Sequence, residues 1–426
     1  MPTRKFAPFG SQLPHCEPYW YQGYPSAYYT ENHVAFRKKV RDFVEKEMKP
    51  YADQWIRDPK GYPKELHQKA FDAGILGIIY PKELGGYRPP DFDAFYELIM
   101  LDEMARLGGG AILGQAAINS MALPPVVAAG SEEMKREVVK DVVQGRKFIC
   151  LAISEPEAGS DVSNLKTTAE RQGDFYIVNG SKKWITGGTM ADYFTLAVRT
   201  GSEEDGPAGL SLLLVDRHCP GIKVRKMETQ FDTAHSTTFI TFEDVKVPVS
   251  RLIGEEGAAF QLLLLNFNHE RFVIAAAAAR QARMCYEESL KYSVQRETFG
   301  KKLAQHQVIR MKLAEMARQV EALQDHLERI AFLFSSGVPD HRLGSQCALL
   351  KVTASRTLEF CAREASQVFG GSALVKEGKG KLIERIYREV RAAAIPGGSE
   401  EILLDLAARQ AVAKAAKERA KGNARM

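Results

Sequence analysis

Two stretches of this chain carry residue types that could do chemistry. The first is Ala152-Ile153-Ser154-Glu155-Pro156-Glu157-Ala158-Gly159-Ser160-Asp161, a short apolar run that opens into a loop shaped by Gly and Pro and rich in hydroxyls. Hydroxyls and backbone N–H groups in such a loop suit the polar edge of a ring, or a phosphate. The same composition also makes an ordinary β-turn with a capped end. The second is Asn266-Phe267-Asn268-His269-Glu270-Arg271-Phe272, inside a helical pattern. On a helix, Glu270 has Asn266, Phe267 and Ile274 as its neighbours at minus four, minus three and plus four, so its carboxylate shares a mainly apolar face. Partial burial there raises a carboxyl toward the range of a general base. On composition alone, a Glu on the solvated side of a helix is the commoner case. Arg271 points about 100° away around the helix, so adjacent numbering does not pair the two. His269 reads as an ordinary polar helix residue.

Other chemistries lack their signatures. No GxGxxG follows an apolar run and no GxxxxGK[ST] occurs, which argues against a Rossmann domain or a P-loop. Neither HExxH nor GxSxG is present. The six cysteines are scattered with no CxxC pair, which speaks for a reducing compartment and against a disulfide framework or a zinc site, so no metal is expected.

Bulk properties narrow the partners. The 426 residues suffice for two or three domains, and a net charge of +5 is too mild to imply nucleic acid. Lys414, Lys417, Arg419, Lys421 and Arg425 form a basic C-terminal tail that reads as a solvated helix end. No apolar run reaches the length of a membrane span. The first thirty residues, rich in Tyr and Trp, fit neither a secretory signal nor a transit peptide. Ala424-Arg425-Met426 is a loose version of a peroxisomal tripeptide, so a peroxisome-type organelle or the mitochondrion is the expected address.

The elements that must position the two stretches follow from periodicity. Residues 31–146 are helical: Val34, Val40, Phe43, Val44 and Met48 fall at three- and four-residue steps behind a Thr30 cap, and residues 64–75 and 92–107 repeat the pattern. Residues 147–251 switch to short β-branched and aromatic runs at Phe148–Ile153, Phe175–Val178, Tyr193–Val198, Leu210–Val215 and Thr238–Phe242. With no long helices between them, these runs predict an antiparallel barrel or sandwich. Residues 252–412 return to the helical period over 257–292 and 303–335, as in a bundle. The fold class expected is α+β, with an N-terminal extension over 1–30 and a tail over 413–426.

Five motifs in register then carry a resemblance. Ala152–Asp161, Lys183-Trp184-Ile185-Thr186-Gly187, Phe242-Glu243-Asp244-Val245 with Val247-Pro248, Arg296 with Phe299-Gly300, and Gln367 with Phe369-Gly370-Gly371 together resemble the acyl-CoA dehydrogenase family from about residue 30 to 410. The resemblance implies an N-terminal α-domain, a central β-domain and a C-terminal four-helix domain. It implies FAD, with Ser154 and Thr186 bonded to the isoalloxazine and Trp184 packed on it. Arg296, Phe299, Gln367 and Gly371 would contact the dinucleotide from a neighbouring subunit of a homotetramer or homodimer, and Ser399 and Glu401 are further flavin contacts by the same likeness. Ser160, Asn268 and Arg271 would meet the CoA portion of an acyl-CoA substrate.

Desaturation beside a thioester needs a base for the α-proton while hydride leaves the β-carbon for the flavin. Many family members carry that Glu in a loop whose counterpart here is Ile395-Pro396-Gly397-Gly398-Ser399-Glu400-Glu401, with Gly397 at the Glu position. Long-chain and isovaleryl members place it on a helix immediately before an Arg, where this chain has Glu270, so Glu270 is the expected base and Glu400 and Glu401 are the reserves. The implied electron acceptor is an electron-transferring flavoprotein, with oxygen as the alternative in an acyl-CoA oxidase. A nitroalkane oxidase-like or N-hydroxylating relative, and a scaffold that keeps the flavin without turnover, are the competing readings.

Overall fold

The computed structural model describes residues 3–58, 60–108, 120–230 and 237–423. Ala424-Arg425-Met426 lies outside the described residues. Helices come first, strands occupy the middle, and helices return. Contacts divide the chain into two compact units, one of residues 1–38, 93–109 and 271–426, the other of 39–92 and 110–270.

The second unit is built on a sheet of eight strands: β1 (Ile149–Ala152), β2 (Thr168–Gln172), β3 (Phe175–Thr186), β4 (Tyr193–Arg199), β5 (Leu210–Asp216), β6 (Ile222–Lys226), β7 (Thr237–Pro248) and β8 (Leu252–Ile253). Their order is β6-β7-β3-β2-β4-β5-β8, with β1 beside β4. Most neighbours run antiparallel, but β4 is parallel to both β1, with Ile149 opposite Tyr193, and β2, with Thr168 opposite Arg199. The apolar runs of β4 and β5 are almost wholly buried, and with Ile240, Phe242 and Val245 of β7 they form one core. The periodicity passes over β2, whose residues are largely polar and exposed, and over β6, whose only apolar positions, Ile222 and Val224, are half-buried.

Helix α1 (Glu31–Phe43) starts where expected, with Thr30 Oγ1 accepting from His33 N at 3.4 Å, and ends in a π turn through Met48, the first unit taking it as far as Lys38. Helix α2 spans Ala94–Met104, and α3 runs unbroken from Ala259 to Gln295 across the boundary between the units. Then come α4 (Gln307–Ser335), α5 (Gly344–Phe369) and α6 (Glu400–Asn423). Helix α4 packs on α2 and α5, and α5 on α6, through stripes such as Leu313, Met316, Val320, Leu323, Leu327 and Ile330. Beyond Ala407, α6 is exposed through Ala420, which agrees with a solvated helix end.

The N-terminal segment is built into this unit. Glu17 is fully buried and accepts from Arg280 Nη1 at 2.9 Å and Arg106 Nη1 at 3.0 Å. Asp102 accepts from the other face of Arg280, and the Arg37 guanidinium sits 4.0 Å from the Phe9 ring centre and 4.5 Å from those of Trp20 and Tyr21. No helix among the described residues is long and apolar enough to cross a membrane.

Candidate active site

In the sheet unit, the loop after β1 is pinned from below. Lys182 Nζ is fully buried and lies 2.7 Å from Glu155 Oε1, donating also to Ile153 O at 3.0 Å. Glu155 accepts in addition from the backbone N–H of Lys166 (2.6 Å) and Thr167 (3.0 Å). Burial alone would raise the Glu155 carboxyl; the Lys182 ammonium and these donors outweigh it and hold the carboxyl below its ordinary value. Burial brings Lys182 down to about 8, so the pair is ionised at neutral pH. Sequence reasoning missed Lys182, since a lysine within a strand reads as a solvated residue.

Above this clamp, Lys183 N donates to Ser154 O at 2.8 Å, which brings the half-buried Ser154 against β3. There the β3–β7 register slips: Lys183 faces Phe239 and Ile185 faces Thr238, leaving Trp184 as the extra residue of a bulge. Trp184 has φ +67° and is 53% exposed, with Lys183 Nζ 4.6 Å from its ring centre. A bulky non-glycine residue held at positive φ with its ring in solvent is strained and unburied at once, a combination that clusters at functional sites. Thr186, half-buried, closes β3 opposite Thr237. Ser160 is exposed at the far end of the loop. Ser154, Trp184 and Thr186 are therefore brought together.

On α3, Glu270 is 8% exposed, and Asn266 Nδ2 donates to its Oε1 at 3.2 Å. The same amide reaches the carbonyls of Ser120 and Met121, each at 3.3 Å, which fixes its orientation. Asn268 is buried. Within the helical unit Arg271, also buried, directs Nε toward Gly397 O at 3.5 Å. Gly397 has φ +67°, and a Cβ there would lie 2.7 Å from Ile274 Cδ1, so the backbone at 397 is shaped for glycine.

The remaining residues cluster at two places in the helical unit. Arg296, Glu297-Thr298 and Lys301-Lys302 form a hairpin whose two central residues, Phe299 (φ +51°) and Gly300 (φ +73°), both have positive φ, as in a type I′ turn. Phe299 is 96% exposed, and Arg296 is exposed beside it. Tyr292 stacks on Phe369 with ring centres 4.3 Å apart, so the end of α3 meets the end of α5, where Gln367 and Gly371 are exposed and a Cβ at 371 would meet nothing within 4 Å. At the second place, Ser399 precedes α6 and Glu401 lies in its first turn, its own N–H and Ser399 holding its carboxyl below the ordinary value. Glu400, by contrast, is held by Ser355 Oγ (2.6 Å) and Arg356 Nε (3.3 Å). That engagement weakens it as a reserve base.

Comparison with known proteins decides the family. Residues 30–146, 150–245 and 258–412 match the N-terminal, middle and C-terminal domains of acyl-CoA dehydrogenase in turn. The chain is a member of the acyl-CoA dehydrogenase family. It is 38% identical over 414 residues to acyl-CoA dehydrogenase AFT10-1 of Alternaria alternata, covering 93% of this chain and 95% of that one. It is 31% identical over 377 residues to the caffeyl-CoA reductase-Etf complex subunit CarC of Acetobacterium woodii, covering 88% of this chain and 97% of that one. An acyl-CoA dehydrogenase from Bacillus anthracis solved with FAD superposes with a TM-score of 0.84 at 26% identity, over 92% of this chain and 68% of that one. This acyl-CoA dehydrogenase is accordingly an oxidoreductase acting on CH–CH groups, and its cofactor is FAD. Within the sheet unit, the exposed Trp184 on its strained bulge offers an aromatic face that suits a flavin ring.

Proposed function

We propose that this enzyme converts an acyl-CoA to its α,β-unsaturated thioester, with Glu270 as the base that takes the α-proton. The observation that carries the assignment is a buried Glu270 oriented by Asn266, in a chain whose residue 397 is a glycine at φ +67° facing Ile274. FAD, when bound, supplies the acceptor for the β-hydride. Ser154, Thr186 and Trp184 hold its ring system, with Ser399 and Glu401 as further contacts. Arg296, Phe299, Gln367 and Gly371 serve the dinucleotide of a second copy. Exposed Val308, Met311 and Leu374 in the same unit support self-association as a dimer or tetramer. Ser160, Asn268 and Arg271 take the CoA portion. The Etf complex named for the Acetobacterium woodii relative supports an electron-transferring flavoprotein as the partner that reoxidises the enzyme.

The test is anaerobic bleaching of the holoenzyme by a panel of straight, branched and aryl acyl-CoAs. One member of the panel bleaches the flavin; failure of all of them refutes the reading. Glu270→Gln keeps FAD and tight acyl-CoA binding but loses at least about 100-fold in bleaching rate. Normal turnover in the Glu270→Gln enzyme moves the base elsewhere.

A further inference from the structure

The segment that joins the helix Arg391–Ala394 to α6 is gripped by one face of α5. Ala348, Lys351, Val352 and Ser355 fall at steps of three, one and three, and so share that face. Ala348 and Val352 pack with Leu403 of α6 in a small buried cluster. Between them Lys351, fully buried, gives its hydrogen bonds to backbone carbonyls: Ala394 O and, at 2.8 Å, Gly398 O. Ser355 Oγ binds the Glu400 carboxylate at 2.6 Å. A buried lysine that spends its donors on loop carbonyls is costly to desolvate and adds little packing over an apolar side chain of the same length. Its return is geometric: it fixes the two ends of a five-residue turn.

That turn is otherwise poorly determined. Gly397 and Gly398 both stand at positive φ, +67° and +97°, and glycine has the widest backbone freedom of any residue. The carbonyl between the two Lys351 acceptors, Gly397 O, is met from the other side by Arg271 Nε at 3.5 Å. Ser399 and Glu401 follow directly.

We propose that Lys351 is a positioning residue for the flavin: by fixing the carbonyls of Ala394 and Gly398 it sets where Ser399 and Glu401 present themselves to the cofactor. Burial lowers the Lys351 ammonium to about 8, while the carboxylates of Glu400 and Glu401 raise it and the guanidiniums of Arg271 and Arg391 lower it further. The inference rests on the assignment of Ser399 and Glu401 to the flavin.

The experiment follows FAD release from the diluted holoenzyme by the recovery of free-flavin fluorescence, together with the visible spectrum of the bound flavin, in Lys351→Met, Ser355→Ala, Ser399→Ala and Tyr21→Phe proteins. Tyr21→Phe removes a buried hydrogen bond to Glu103 of 2.7 Å, on elements other than α5 and α6, and serves as the stability control. Lys351→Met is expected to release FAD at least tenfold faster with a shifted flavin band, and Ser355→Ala a few-fold faster. Tyr21→Phe is expected to lower the melting temperature without either change. The proposal falls if Lys351→Met retains FAD within twofold of the parent with an unshifted band, or if Tyr21→Phe loses FAD equally for an equal drop in melting temperature. Should Lys351→Met fail to fold, an unchanged Ser355→Ala overturns it. If Ser399→Ala leaves FAD untouched while Lys351→Met sheds it, the assignment of Ser399 fails and the role of Lys351 passes through Glu401 alone.

Discussion

Replacing Lys182 by Met tests whether the cofactor loop stands on the buried ion pair beneath it. In the native protein Glu155 receives three hydrogen bonds, from Lys182 Nζ, Lys166 N and Thr167 N. Lys182→Met fills nearly the same volume and leaves a carboxylate that is 5% exposed with two neutral donors and no counter-charge. The Ile153 carbonyl loses its partner as well. Breaking a buried pair on one side costs about 3–5 kcal/mol, because the surviving charge keeps its desolvation penalty. For a chain of 426 residues that corresponds to a fall in melting temperature on the order of 3–6 °C. The sign with pH is fixed by Glu155. Its folded carboxyl lies below the unfolded value near 4.5, so its contribution is present above that value and lost as pH falls through the lower folded one. The gap between parent and Lys182→Met should therefore be widest near neutrality and close under acid. Adding Glu155→Gln to Lys182→Met removes the stranded charge and should restore at least half of the loss. Calorimetric melts of the three proteins between pH 4 and 8 (chosen to bracket the ordinary carboxyl range) provide the measurement. A single mutant melting within about 1 °C of the parent, or a double mutant worse than the single, would refute the reasoning.

Other perturbations read other parts of the structure. Gly397→Ala places a Cβ 2.7 Å from Ile274 Cδ1 at φ +67° and should cost about 1–3 kcal/mol in chemical denaturation; pairing it with Ile274→Ala should return the steric part. Phe299→Asn puts the residue preferred by a type I′ turn at φ +51°, so the apoprotein should melt slightly higher, by about 0.5–1 kcal/mol, while FAD release accelerates. Glu328 is pushed up to about 7 by burial, against the donors Gln324 and Tyr29, with Asp325 adding to the rise and Arg283 opposing it. A raised carboxyl contributes stability that is complete below its unfolded value near 4.5 and lost as pH rises through 7, so Glu328→Gln should flatten the pH dependence of the melting temperature in that window.

The residues that carry apolar pattern were legible from the sequence, and those that carry geometry were not. The stripe of α4 and the apolar runs of β4 and β5 announce themselves because burial dictates residue type there. Strands β2 and β6 escape notice because their side chains are mostly polar and exposed, and backbone pairing leaves no mark on residue type. Glu270 is singled out by the resemblance to members that place a base on this helix, since composition alone favours a solvated Glu; the structure buries it. Trp184 is the instructive failure of type-based reasoning: an isolated Trp is usually core, yet a one-residue bulge in β3 turns this one out to 53% exposure. Lys182 and Lys351 could not have been found, since nothing in the sequence distinguishes a fully buried lysine from a solvated one. Their roles are created by distant partners, Glu155 for the first and the 394–398 carbonyls for the second.

The place of Glu17 changes where this chain can be cut. The N-terminal family domain begins at residue 30, and a shortened gene product drawn to that boundary would look complete by homology. It would also discard the carboxylate that meets Arg280 and Arg106, leaving Arg280 with Asp102 as its remaining close carboxylate, and would remove the rings packed on the Arg37 guanidinium. The recognisable domain and the cooperative folding unit thus have different first residues, and expression, tagging or fusion of this enzyme should respect the second.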